Sequence, residues 1–233
     1  MTSDRTQQLS DLHRHLLTGF LEDGAPPSTP ALASRLDVSE DEARTLLREL
    51  GDDHGAVLHP HDGSPWTVHP FTTSPTAFSV HAGERSWNAP CAWCSLGVAA
   101  LVGDDGPVRI RTRDGAEGEP LELVVDAQGP SEPDWLIHFP VAMLSAWDNV
   151  LYTCSVMLLF TNESTVDDWC RRRHVPRGDV RPLKTFWPFA CEWYGRHLDL
   201  TWRKWTLEES RALFAKHGLS GPTWRLPPGN ETF

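Results

Sequence analysis

Three cysteines carry the first chemical signal in this chain. Cys91-Ala92-Trp93-Cys94 opens an apolar run that continues to Gly103, and Cys154 lies in a second apolar run from Thr153 to Phe160. Thiolates are soft ligands, and two of them spaced C-x-x-C at the head of a helix lie on nearly one face, so they can converge on one soft metal ion. Cys91 follows Pro90 at an expected helix N-terminus, where the backbone dipole favours the thiolate. A thiol is also a proton donor, since its ordinary pKa of about 8.5 keeps most of it protonated at neutral pH. The competing reading is that these cysteines are small buried hydrophobes. A redox reading of C-x-x-C lacks the βαβ pattern it needs, and a structural zinc site wants a fourth ligand. His54, His59, His61, His69 and His81 lie upstream without fixed ligand spacing and are expected as wing and loop residues. Cys170 and Cys191 have no assigned role, and Cys191, inside an aromatic helical segment, is expected in the core.

Composition narrows the alternatives. The 233 residues are 39% hydrophobic, enough for one substantial core or for a domain with a small appendage. Acidic residues number 32 against 21 basic ones, a formal net charge of -11 at pH 7, which disfavours nucleic acid and anionic membranes as partners. No apolar run is long enough to span a bilayer, and the N-terminus lacks the basic and apolar regions of a signal peptide. Together with five cysteines, an odd number, this leads us to expect reduced thiols and a cytoplasmic location. The 11 tryptophans point to an aromatic-walled fold.

The elements that must position the cysteines follow from periodicity and caps. Leu9, Leu12, Leu16, Leu17, Phe20 and Leu21 predict a helix stopped by Gly24. Ser28 or Thr29 caps a second helix, and Ser39 with Glu42 forms a capping-box signature for a third. GAVLHP and PWTVHPF then supply two short strands, so residues 1–70 are expected as a winged helix-turn-helix-like module. The third helix begins Ser39-Glu-Asp-Glu42, and those carboxylates would repel phosphates, so DNA binding is not expected. Residues 71–233 read as an α+β domain. Its strands are expected near Ala77–Val80, Val108–Arg113, Leu121–Val125, Leu136–Phe139 and, as a doubly buried strand, Thr153–Phe160. Helices are expected at Cys94–Val102, Val166–Arg173, Phe186–Leu198 and Leu207–His217.

The segment from Phe71 to Gly103 resembles the organomercurial (alkylmercury) lyase family. Against the family pattern CAxDxLxxPALxG, Cys91, Ala92, Leu96, Ala100, Leu101 and Gly103 match in register. Asp148 and Asn149 leading through Cys154 to Phe160 resemble a second landmark, and Asp168-Trp169 to His174 a third. The resemblance covers roughly residues 8 to 200. It departs from the pattern at one place that matters, because the acidic residue three after the first cysteine is Cys94 here.

The resemblance implies an α+β catalytic domain behind a winged helix-turn-helix-like front module. It also implies protonolysis of a carbon–mercury bond, in which two thiolates capture the metal and a nearby acid supplies a proton. Those roles fall on Cys91, Cys154 and the position of Cys94, and the same three are the expected metal ligands. No resident cofactor is required: mercury, or possible copper or zinc, enters as substrate, product or ligand, and a low-molecular-weight thiol carries the product away. Two other functions remain open at this stage. One is a repurposed enzyme of different chemistry on this scaffold; the other is a non-catalytic protein that binds or senses a soft metal.

Overall fold

A computed structural model describes residues 3–103, 106–228 and 232. Helix α1 (Ser3–Asp23) buries Leu9, Leu12, Leu16, Leu17 and Phe20 on one stripe, as their spacing requires. The Ser28 side chain caps α2 (Thr29–Leu36), with proline in its first turn. The Ser39 side chain accepts the Glu42 N–H to cap α3 (Glu40–Asp52). The Glu42 side chain turns away from that cap to pair with Arg5 of α1, which also holds Glu49 through two 2.6 Å hydrogen bonds. Two acids of the third helix are therefore spent on locking the helical trio together.

The expected wing is part of something larger. Strands β1 (Val57–Leu58) and β2 (Pro65–Val68) form an antiparallel hairpin, but β2 pairs onward with β3 (Phe71–Thr72), Thr67 facing Thr72. The ladder therefore runs across residue 70. It continues through β5 (Arg85–Ala89), β4 (Phe78–Ala82), β6 (Val108–Arg113), β7 (Pro120–Asp126) and β8 (Gly129–Pro130) as one antiparallel sheet of eight strands. Phe20 stacks on Phe71 at 5.3 Å, and the Trp87 indole N–H donates to the Phe20 carbonyl at 2.6 Å, so α1 is seated directly on that sheet.

Against the sheet lies α4 (Ala92–Val102), buried on nearly all sides. Its neighbour is α7 (Leu183–Tyr194), and the two approach closely because of Gly97. A Cβ there would overlap the Tyr194 ring and come within 2.9 Å of Pro70 Cβ. A smaller sheet, β10-β9-β11, combines β9 (Leu136–Phe139) with β10 (Leu159–Phe160) and β11 (Asp179–Pro182). Helix α6 (Glu163–Arg173) follows β10, and α8 (Leu207–Lys216) begins with a complete Thr206/Glu209 capping box.

One expected element is corrected. Thr153–Phe160 is not a continuous strand: Cys154 lies on a short helix, α5 (Val150–Val156), and only Leu159–Phe160 is strand. The Asn149 side chain accepts the Tyr152 N–H at 3.0 Å and starts the helix, and Met157 at φ -88°, ψ 91° ends it. A short apolar run fits either state by periodicity, and here the cap decided.

Candidate active site

Each cysteine is placed by a backbone feature. Cys91 occupies the N-cap of α4 in extended conformation, and its Sγ accepts the Cys94 N–H at 3.2 Å, so sulfur takes the place usually held by a serine or aspartate oxygen. The next N–H, of Ala92, donates to the Met157 carbonyl at 3.0 Å. That bond ties the start of α4 to the end of α5, and it is what brings Cys154 beside the C-x-x-C segment. Cys94 lies one turn into α4, 3.6 Å from the Tyr194 hydroxyl.

The three sulfurs form one group. Cys91, Cys94 and Cys154 line one cavity, and the Cys94 and Cys154 sulfurs act on the Cys91 thiol. Cys94, Cys154 and His69 place their ligand atoms within 4.8 Å of one another, and His69 Nε2 lies 3.5 Å from Cys154 Sγ. The upstream histidines do not all fall in turns and loops of no consequence. His69 joins the cysteines, and His54 stacks on Trp147 at 4.6 Å in the wall of the same cavity. His59 and His61 lie near each other at 5.3 Å, outside that wall, and His81 on β4 pairs with Ser79 at 3.0 Å. Spacing gave no sign of His69, but its position directly before the family-like segment, in Val68-His69-Pro70-Phe71, was a usable signal.

The thiols are not equally acidic. Burial pushes the Cys91 thiol up, but its bonds to Cys154, to Cys94 and to the Cys94 N–H, with His69 nearby, together hold it well below the ordinary thiol range. Burial drives the Cys94 thiol well above that range, reinforced by the neighbouring sulfurs. Cys154 is raised as well, first by its bond to Cys91. Cys91 is thus the most acidic thiol of the three. Burial lowers the His69 imidazole, which is uncharged at neutral pH.

These groups form the floor of a cavity of about 110 Å³ walled by Trp147, Trp193, Trp202 and Trp205. His13 of α1 stacks on Trp202 at 3.9 Å and 11°, so the helical module and the segment after α7 close over the site together. The Lys204 ammonium bonds to the Asp53 carbonyl at the end of α3, a second strap across the same opening. Cys170 lies elsewhere, 3.6 Å from His138 Nε2. Cys191 on α7 is half-buried, its thiol pushed up to about 11 by burial, and is not in the group.

Residues 71–195, more than half of the chain, match the family model described as alkylmercury lyase, MerB. The chain belongs to the alkylmercury lyase family. Cys91, Cys94 and Cys154 fall inside the matched stretch, and His69 lies two residues before it. Among solved structures, the mercury-bound form of MerB2 superposes with a TM-score of 0.61 at 16% identity, over 85% of this chain and 99% of that one, a likeness of fold. No curated protein matches the chain.

Proposed function

We propose that this family member cleaves the carbon–mercury bond of an organomercurial by protonolysis, with Cys91, Cys94 and Cys154 as the reacting thiols. The observation that carries this reading is the convergence of Cys91, Cys94, Cys154 and His69 on one apolar cavity. The Cys91 thiolate attacks mercury and displaces its counter-ligand, leaving R–Hg–S. The Cys94 thiol, standing where the family pattern has an acid, then gives its proton to the carbon as the carbon–mercury bond breaks. R–H leaves, and the electron pair left on sulfur binds mercury, giving S–Hg–S. Cys154 adds as a third thiolate, its proton passing to His69 across the 3.5 Å contact. Two molecules of a small external thiol exchange for the protein sulfurs and remove Hg(SR)2, returning the protons.

Water exclusion strengthens each of these charge interactions, and the tryptophan walls provide it. The mercury in the MerB2 structure supports a mercury-centred reading on this fold. All five cysteines are free thiols, which the cycle needs, and this favours a reducing, cytoplasmic setting. Among the described residues no helix is long and apolar enough to cross a membrane.

A second reading has an observation of its own. Cys94, Cys154 and His69 are close enough to hold a soft ion permanently, which would make the protein a binder or sensor. Hydrocarbon release from phenylmercury with excess thiol separates the two. Benzene formation that disappears in Cys91→Ser supports the lyase; stoichiometric mercury retention without benzene supports the binder.

A further inference from the structure

The cavity holds a second group of polar atoms that the proposed bond cleavage does not use. His13 Nδ1, His197 Nδ1 and Trp93 Nε1 are each buried without a hydrogen-bond partner. Their residues are 3%, 7% and 7% exposed, and all three line the same cavity as the cysteines. A buried polar atom left unpaired keeps its full desolvation cost. Three around one opening are a cost the fold carries without return unless something enters to pair with them. His13 and His197 lie 5.7 Å apart between ring centres, and both face Trp202, at 3.9 Å and 5.2 Å.

The character of these groups identifies their complement. An indole N–H is a donor only, and so is the ammonium of Lys204 on the same wall, whose side chain is 10% exposed. The imidazoles can donate from the unpartnered nitrogen. No aspartate or glutamate is among the described lining residues; the nearest carboxylate to the Lys204 ammonium is that of Asp53, 3.8 Å away behind the wall. Between these donors the surface is aromatic and planar. At about 110 Å³ the cavity is smaller than the roughly 150 Å³ cavities that admit a free benzene ring.

We propose that this part of the cavity is a subsite for a planar organic group bearing an anionic acceptor, an aromatic carboxylate. The indoles sandwich the ring and His13, His197, Trp93 and Lys204 meet the carboxylate. The proposal rests on the lyase reading only for the side of the ring on which mercury sits. It makes aryl carboxylates, rather than simple alkyl groups, the preferred organic portion of the substrate.

Benzoate, which contains no mercury, tests the subsite without any turnover. Titration of the full chain with benzoate, followed by calorimetry and ligand-observed NMR, is expected to show saturable one-to-one binding. Benzyl alcohol should bind at least tenfold more weakly. His13→Phe and His197→Phe keep the ring and remove its nitrogens, and Lys204→Met removes the ammonium; each should weaken benzoate at least fivefold with the melting transition retained. Absence of saturable benzoate binding to the unaltered chain overturns the proposal whatever the variants do, as does equal binding of benzyl alcohol. In a parallel arm, 4-mercuribenzoate should show a lower KM than phenylmercury. If benzoate binds but neither mercurial is cleaved, the subsite stands and the lyase reading falls; if both mercurials are cleaved without benzoate binding, the reverse holds.

Discussion

Cys154 Sγ and His69 Nε2 lie 3.5 Å apart, joining a residue of α5 to one that precedes β3. The pair links the thiol group to a residue two positions before the family-matched stretch. If His69 accepts the Cys154 proton, His69→Phe should lower kcat about tenfold to a hundredfold with little change in KM, the lower end of what a positioned proton acceptor supplies. His69→Gln, which keeps a hydrogen bond to sulfur but cannot take up a proton, should recover mercury retention and not kcat. An unchanged kcat in His69→Phe would remove the histidine from the cycle.

Cys94 stands where the family pattern has an acid, and two substitutions read its role. As proton donor, Cys94→Ser should cut hydrocarbon release about a hundredfold, and Cys94→Asp should restore or raise it, since a carboxyl group is the stronger acid. As a standing metal ligand, both substitutions should instead weaken mercury retention, with no release in the parent protein. Steady-state hydrocarbon release with excess thiol, alongside mercury content after dialysis, distinguishes these results.

Gly97 sets the distance between α4 and α7. Gly97→Ala gains about 1 kcal/mol of helix propensity but forces the Tyr194 ring aside, and overpacking of this kind costs about 1–3 kcal/mol. The net expectation is a lower urea midpoint together with faster labelling of Cys94, as Tyr194 leaves its 3.6 Å contact. Stability equal to the parent with unaltered labelling would show that the helices separate without loss.

Acid should weaken the fold through the buried histidines. Burial lowers His197 from 6.5 to about 3, and lowers His13 well below its ordinary value. The unfolded chain therefore binds more protons than the folded one as pH falls below about 6.5. The stability these neutral histidines permit is complete above that pH and is lost progressively toward about pH 3, by up to about 1.4 kcal/mol per pH unit for each. Urea midpoints measured from pH 7.5 to 5 should fall, and the fall should be shallower in His197→Phe. Parallel slopes for parent and variant would place the acid sensitivity elsewhere.

Much of this protein was written in local sequence. The apolar stripe of α1, the Ser28, Ser39 and Thr206 caps and the alternation of β6 are set by neighbours a few residues away, and each element formed where those signals lay. Cys91 and Cys94 were legible for the same reason, because a C-x-x-C spacing on a helix fixes which face both side chains share. Local signals failed where two states were equally compatible. The run from Thr153 to Phe160 is apolar throughout, so only the Asn149 cap and the break at Met157 turned its first half into helix. The β1–β2 hairpin was visible, but its extension into an eight-stranded sheet depends on the Thr67–Thr72 pairing and on strands that arrive later in the chain.

Tertiary structure alone decided the composition of the site. His69 enters it because the sheet and the Ala92–Met157 hydrogen bond bring three separate segments to one point, and no spacing in the sequence encodes that meeting. His13 and Trp202 are far apart in the chain and meet only when α1 packs beneath the segment after α7. The ordering of the three thiol acidities is likewise a property of the folded state: burial alone would raise all of them, and the hydrogen bonds that converge on Cys91 lower it instead.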